Sequence, residues 1–419
     1  MASMAESQPS TPSRPSIVVL DGVRAIACLL VIIYHVNYHT FKAHIWHGNT
    51  IGSIGTALAL SGWSGVTLFF VLSGFLLFLP YAQALLFDKK WPEPGKFYLK
   101  RMCRILPGYY ASLILLIVLA YPEYLRPERW RDTGLFLSFL MDMSPQTYQH
   151  INGPYWTLAV EWQFYMCLPL LAFGLYWLCK RFQTQWRCWI VLGGLAVLIG
   201  WGLFTRYCGA YFSTHTQESV LVPRQFLNVL LAIFYGQSGK YLEDFAVGMF
   251  LCLIYAYTSQ ADASRRLSQW LQRLTPMLFL LGLGWLFGMA TITTEIPLLR
   301  PWLGAGGWLT ELGYALGFGF CLLALLFGSF GVKSFLEQRY LCKLGQVSYS
   351  LYIWHNPILQ LLVPLILPLS ALLNNILVYV VFWICAALLV FPCAYLFYRL
   401  IEVPGIRLGS RWRQGNALR

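Results

Sequence analysis

The chain has 419 residues, of which 58% are hydrophobic and only 11% are charged. This composition excludes a soluble globular protein and indicates a polytopic membrane protein. The net charge of +13 is spread over many short segments beside apolar stretches, so membrane topology and anionic lipid explain it better than nucleic acid does.

The opening residues, MASMAESQPSTPSRPS, are polar and rich in Ser and Pro, which predicts a disordered tail over 1–16. Ten apolar stretches long enough to span a bilayer follow. They cover about 17–37, 60–87, 105–122, 156–179, 188–205, 241–259, 277–294, 308–330, 344–368 and 376–400. Residues 225–236 are too short to span and are predicted to form an interfacial or re-entrant helix. No basic region or cleavage site precedes the first stretch, so it is predicted to be a retained helix.

The basic residues predict the orientation of this all-α bundle. With the N-terminus inside, the cytoplasmic segments hold 20 of the 30 Lys and Arg residues, the opposite side holds 8, and two lie within spans. This asymmetry favours about ten helices with both termini cytoplasmic. We therefore expect one integral membrane domain over 17–402 and a basic cytoplasmic tail over 403–419.

The first span contains two ionisable groups that are costly to bury in lipid, Arg24 and His35. Eleven helical steps of 100° return the azimuth to within about 20°, so Asp21, Arg24 and His35 share one face. That face must meet a polar cavity or other helices. A structural Asp21–Arg24 ion pair with His35 at the interface is the plainer interpretation.

The fourth span begins with the motif WTLAVEWQFY, which contains Trp156, Glu161 and Tyr165. Glu161 is predicted to lie at a depth similar to that of His35. A carboxylate that orients a histidine is a common arrangement for a general base, so Glu161 is a candidate partner of His35. The alternative is that Glu161 bonds a neighbouring tyrosine or indole.

Three further places concentrate polar or small residues. The motif FYLKRMCRILPGYY carries Lys100, Arg101 and Arg104, and Lys96 directly precedes it. The two arginines are three positions apart, so they face the same way and can clamp phosphates, although a positive-inside cluster is the plainer explanation. Small residues including Ser73 interrupt the second span, which indicates close helix packing or room for a slender chain. In SYSLYIWHNPIL, His355 and Asn356 precede a proline that frees backbone carbonyls in the membrane. No Cys/His spacing predicts a metal site.

These motifs together resemble the acyltransferase-3 family of membrane acyltransferases, which includes O-acyltransferases of polysaccharides, lipopolysaccharide and macrolides. The similarity rests on LDGVRAIACLLVIIYHV, FFVLSGFLL, RMCR, GPYWTLAVEWQFYMCLPLL and VSYSLYIWHNPIL, which occur in family order between positions 20 and 359. The chain ends in a short basic tail, whereas many relatives continue into an extracytoplasmic esterase-like domain. The acceptor is therefore expected to be handled by this domain or by a separate partner.

The resemblance implies transfer of an acyl group, most often acetyl, from cytoplasmic acyl-CoA to a hydroxyl of a carbohydrate or glycosylated natural product in the bacterial plasma membrane. Arg101 and Arg104 would hold the CoA phosphates, assisted by Lys96 or Lys100, and the pantetheine arm would pass Ser73. His35 would act as general base or accept the acyl group itself. Arg24 would bind the carbonyl oxygen and Glu161 would orient His35.

A secondary transporter or flippase is the alternative, since intramembrane His, Arg and Glu also mark substrate paths. A catalytically silent sensor on the same scaffold is a third interpretation, which the intact His35 disfavours. Consumption of acetyl-CoA by the purified protein distinguishes a transferase from both.

Overall fold

The structure is a computed structural model, and it describes residues 17–45, 52–220, 222–259, 265–295, 300–303 and 307–415. The part of the chain so described is helical and contains no strand. The predicted disordered tail over 1–16 lies outside the described residues.

Sixteen α-helices follow one another along the chain, joined in places by short 3₁₀ turns. They are α1 (Val19–Lys42), α2 (Gly52–Leu60), α3 (Gly65–Phe87), α4 (Pro94–Ala120), α5 (Trp130–Leu137), α6 (Tyr155–Cys179), α7 (Arg187–Thr214), α8 (Arg224–Phe234), α9 (Leu242–Thr258), α10 (Arg265–Glu295), α11 (Arg300–Leu303), α12 (Thr310–Phe327), α13 (Gly331–Leu336), α14 (Arg339–Ile366), α15 (Asn375–Phe397) and α16 (Val403–Gly415).

Nine helical segments within the described ranges are long and apolar enough to cross a membrane. They match nine of the ten predicted stretches. The tenth, predicted over 241–259, is α9, which has only 17 residues and begins with two acidic side chains. Ring contacts of Phe70 with Tyr241 and of Phe75 with Tyr255 show that α9 runs parallel to α3. The polytopic helical bundle is confirmed, with α9 as a short, buried member.

Small residues bring the central helices into backbone contact. A Cβ on Gly74 would lie 2.1 Å from the carbonyl oxygen of Phe245, and a Cβ on Gly65 would lie 2.4 Å from that of Ala27. Neither position accepts a side chain without moving a neighbouring helix. Gly65 and Gly74 of the second predicted span therefore serve helix packing.

Ion pairs connect loops that the charge pattern places on the same side of the membrane. Arg187 bonds Asp88 at 2.7 Å, which joins two segments predicted to be cytoplasmic. Lys240 pairs with Asp142, which joins two segments predicted to lie opposite. These contacts agree with the alternation of the spans, whereas the side that faces the cytoplasm stays a prediction.

Two peripheral segments add detail to the predictions. The segment predicted to be interfacial or re-entrant is the 11-residue helix α8, none of whose side chains is fully buried. The basic segment predicted as a tail is helical over Val403–Gly415 and packs against α4, where a Cβ on Gly405 would lie 2.6 Å from the carbonyl oxygen of Cys103. This segment is therefore held against the bundle.

Candidate functional site

Two adjoining cavities occupy the centre of the bundle, among α1, α3, α6 and α14. The first, which we call the arginine cavity, has a volume of about 280 Å³. Its polar lining is Arg24, Ser73, Lys100, Arg101, Arg104, Thr157, Glu161, Tyr165, Ser348, Tyr349 and Tyr352. The second, the histidine cavity, has a volume of about 390 Å³. Its polar and aromatic lining includes Tyr34, His35, Tyr38, His39, Lys42, Trp63, Gln149, Trp156, Tyr241, Glu311, Asn356 and Gln360.

The arginine cavity gathers four cationic side chains from two helices. Arg101 and Arg104 lie one turn apart on α4, beside Lys100, and Arg24 reaches the cavity from α1. The guanidinium of Arg101 stands 5.7 Å from the centre of the Tyr165 ring, and its buried Nε has no hydrogen-bond partner in the described structure. Forked guanidinium donors that converge on an open volume suit phosphate oxygens.

Not every member of the basic cluster predicted around RMCR lines the arginine cavity. Lys96 does not line the cavity, because its ammonium group pairs with Glu93 at 2.8 Å on an exposed surface. The prediction that Lys96 assists phosphate binding is therefore withdrawn, and Lys100 alone keeps this predicted role. Asp21 pairs with Arg24 at 2.5 Å, as the plainer interpretation of this helix face predicted. Arg24 nevertheless lines the arginine cavity.

Glu161 lies in the arginine cavity and does not orient His35. Its Oε1 accepts a hydrogen bond from Ser73 at 2.5 Å and another from the Tyr165 hydroxyl. The prediction of a Glu161–His35 pair was wrong because a depth estimate from helix ends is good only to about a turn, which leaves the facing direction open. A carboxylate here partly balances the arginines.

His35 contacts a second histidine instead of a carboxylate. Its Nδ1 lies 2.9 Å from the carbonyl oxygen of Val31 and 3.3 Å from Nε2 of His355. The Nδ1 of His355 lies 3.1 Å from the carbonyl oxygen of Leu351. Because a carbonyl oxygen only accepts, both Nδ1 atoms carry the proton. His355 Nε2 is thus an acceptor, and Nε2 of His35, which takes no part in these contacts, is the nitrogen left for the cavity that His35 lines.

Two asparagines hold the helix that carries His355. Pro357 has no N–H, so the carbonyl of Ile353 loses its helical partner. The Asn152 amide donates to this carbonyl oxygen at 2.8 Å. The Asn356 Oδ1 accepts from Nε2 of His39 at 2.8 Å, and its amide nitrogen lies 3.4 Å from Oδ1 of Asn152. The predicted freed carbonyl is thereby satisfied beside the cavity.

Aromatic rings form one wall of the histidine cavity. Trp156, a sequence candidate, stacks at a tilt against Tyr241 with ring centres 5.4 Å apart. Tyr34 meets the His35 ring edge-on at 5.0 Å. Such rings offer large rigid surfaces with few rotatable bonds.

Several lining residues were missed by the sequence analysis. His39 lies four positions after His35, and this helical spacing alone places both rings on one face. Thr157 and Tyr352 carry no comparable signal, because their role depends on the meeting of α6 and α14. The described residues contain no group of three or more His, Cys, Asp or Glu side chains that could hold a metal.

The fold and site define a multi-pass membrane protein with a cationic cavity joined to a histidine cavity. A family model described as an acyltransferase domain matches residues 17–399. The chain belongs to this acyltransferase-3 family of membrane acyltransferases. The predicted resemblance is confirmed over nearly the whole chain.

Relatives of this chain carry names that mention O-acetylation. Over an alignment of 415 residues, the chain is 23% identical to the O-acetyltransferase OatA of Staphylococcus aureus (strain NCTC 8325 / PS 47). This alignment covers 92% of the chain and 56% of that protein. Over an alignment of 379 residues, the chain is 24% identical to the peptidoglycan O-acetyltransferase OatA of Listeria monocytogenes. This alignment covers 84% of the chain and 51% of that protein. The chain thus spans about half the length of these relatives. No solved structure matches it.

Proposed function

We propose that this protein transfers an acyl group, acetyl in the first instance, from cytoplasmic acyl-CoA to a hydroxyl of a carbohydrate. The observation that carries the proposal is that a four-cation cavity shares part of its lining with a cavity lined by His35. Phosphates cannot enter lipid, whereas the pantetheine arm is slender and nearly uncharged. The two cavities suit the two ends of one donor molecule.

In this proposal the arginine cavity binds the donor phosphates at the cytoplasmic side. Arg101 and Arg104 supply forked donors, and Lys100 and Arg24 add positive charge. Ser73, bonded to Glu161, lines the route of the arm. The basic residues of the segment 89–104 support the orientation, because cytoplasmic loops are enriched in Lys and Arg.

His35 then acts at the acceptor hydroxyl. Its Nε2 takes the hydroxyl proton while the oxygen attacks the thioester carbonyl carbon. The C–S bond breaks, the ester forms, and the imidazolium returns the proton to the CoA thiolate. His355 and the Val31 carbonyl hold the Nδ1–H side and so fix the ring. Transfer through an acyl-histidine is the second route, and it uses the same nitrogen as nucleophile.

The aromatic wall of the histidine cavity suits a sugar acceptor. Trp156 and Tyr241 present ring faces to the apolar C–H faces of a pyranose, while Gln149 and Gln360 supply polar groups. The relatives named for peptidoglycan make a peptidoglycan glycan strand the first acceptor to test.

The test uses purified protein in detergent with acetyl-CoA and muropeptide or glycan acceptors. We expect CoA thiol to be released in step with a mass gain of one acetyl group on the acceptor. A protein that binds a glycan but leaves acetyl-CoA intact across the acceptor panel contradicts the proposal and favours a transporter. Radiolabelled acetyl-CoA with rapid quench separates the two routes, because only the acyl-histidine route gives protein-bound label.

Orientation has its own test. A cysteine introduced at Glu93, in a chain whose native cysteines have been replaced, should react only after the membrane is permeabilised. Labelling of that cysteine in intact cells by an impermeant reagent contradicts a cytoplasmic arginine cavity.

A further inference from the structure

The two cavities meet at a ring of three side chains, one from each of three helices. Val66, Thr157 and Tyr352 are the residues that line both cavities. On α6, Trp156 faces only the histidine cavity and Leu158 only the arginine cavity, so Thr157 is the position at which the lining changes. The ring is therefore the boundary between them.

The lining changes at the same level on α14 and α3. On α14 the arginine cavity is lined by Tyr349 and Tyr352, and the histidine cavity by Tyr352 and Asn356. On α3, Val66 lines both cavities, whereas Phe69 lines only the arginine cavity. Three helices thus contribute one residue each to a single constriction.

A hydrogen bond crosses this constriction. The hydroxyl oxygens of Thr157 and Tyr352 lie 2.6 Å apart. Thr157 donates its own proton to the Pro154 carbonyl at 2.8 Å, so the Tyr352 hydroxyl is the donor across the ring. Both side chains are buried, and the Tyr352 ring also meets Phe69 edge-on at 5.8 Å. The phenol is held from both sides.

We infer that the ring of Val66, Thr157 and Tyr352 is the passage through which the thioester reaches His35, and that the Thr157–Tyr352 bond holds it closed. This inference rests on the proposed function. The phosphates stay with the arginines on one side, and the base stands on the other side. The acyl end of the donor must therefore cross the ring, and these three are positioning residues for the transfer.

The first experiment loosens the ring with Thr157→Val and Tyr352→Phe, which keep the side-chain shapes. Opening lets water near His35 meet the thioester without acceptor; the water oxygen bonds the acyl carbon, the C–S bond breaks, and a carboxylic acid and CoA thiol form. Loss of one hydrogen bond favours opening about fivefold. We expect a rise of that size in acceptor-free hydrolysis of acetyl-CoA for each variant.

A double-mutant cycle makes this test specific. Both substitutions remove the Thr157–Tyr352 bond, and Thr157→Val also removes the bond to the Pro154 carbonyl. The double variant should therefore hydrolyse no faster than Thr157→Val alone. Tyr110→Phe is the matched control, because its hydroxyl donates to the Leu137 carbonyl outside both cavities, and it should hydrolyse like the wild type. Additive increases, or no increase, overturn the inference. A loss of about 100-fold in transfer with Tyr352→Phe alone also overturns it, since the phenol would then be a donor to the reacting oxygen.

The second experiment plugs the ring with Val66→Phe. We expect transfer to fall at least 100-fold while calorimetry gives unchanged affinity for CoA. Val118→Phe on the exposed face of α4 is the control for added bulk. Wild-type transfer by folded Val66→Phe contradicts the passage. If that variant does not fold, the isosteric cycle decides. Absence of CoA binding to the wild type refutes the proposed function, whereas binding and transfer with unaltered variants refute the passage alone.

Discussion

The arginine cavity and the histidine cavity differ in charge although they share a wall. The first combines four cations with one carboxylate, and Arg24 has Asp21 beside it. The second is lined by His35 and His39 with one cation, Lys42, and one carboxylate, Glu311, and the contacts of His35 Nδ1 are the Val31 carbonyl and His355. Arg24 and His35 stand about 16 Å apart along one helix. A base must be unprotonated to work, so in the proposed function the separation keeps the arginines away from the proton chemistry.

The largest effect should come from the histidine cavity. His35→Ala removes the nitrogen proposed to take the acceptor proton, and general-base loss costs about 10²- to 10⁴-fold in rate. Donor affinity should stay close to that of the wild type, because the proposed phosphate site is the arginine cavity. Turnover and calorimetric CoA binding, measured on the same preparation, check the expected loss of rate and the expected unchanged donor affinity. Wild-type turnover in a folded, CoA-binding preparation refutes the role of His35.

The reverse pattern should follow from the arginine cavity. Arg101→Ala/Arg104→Ala removes two sets of charge-assisted hydrogen bonds and should weaken CoA binding about 100-fold. Lysine at either position should restore affinity only in part, because the fork is lost. Added salt should weaken wild-type binding too. Lys180→Ala/Arg181→Ala, outside both cavities, is the matched control, and equal losses in both double variants indicate a general charge effect.

His355 should act through His35 rather than on the substrate. His355→Leu removes one of the two acceptors beside the His35 Nδ1–H, leaving the Val31 carbonyl, and should lower kcat about tenfold without changing the Kd for CoA. His355→Gln keeps an acceptor oxygen and should recover part of the rate. Steady-state kinetics of both variants provide the measurement. Equal losses in the two variants indicate that only packing at this buried position matters.

The smallest effect should come from Glu161. Glu161→Gln keeps an acceptor for Ser73 and Tyr165 but removes a negative charge beside the phosphate site. Donor affinity should rise about threefold with kcat little changed. Parallel determination of Kd for CoA and of kcat tests this. A fall in kcat as large as that of His35→Ala would indicate that Glu161 acts together with His35. The two cavities would then not have separate roles.

Local patterns in the sequence predicted most of the fold. Apolar stretches of the right length predict the spanning helices, because a bilayer of fixed thickness demands them. Helix α9 was the exception in length. It packs against α3, so it does not face lipid along its whole length. The shared face of Arg24 and His35 and the pairing of Asp21 with Arg24 also follow from helical geometry within one element.

The tertiary structure decided which polar groups meet. Glu161 and His35 lie on different helices, and only the rotation of α6 turns the carboxylate toward Ser73 and away from the histidine. Likewise, the contact of His35 with His355 and the closure of the passage by Thr157 and Tyr352 join residues about 200 to 320 positions apart. Periodicity gives the face of one helix, whereas the partner of that face depends on packing against the others, which no local pattern encodes.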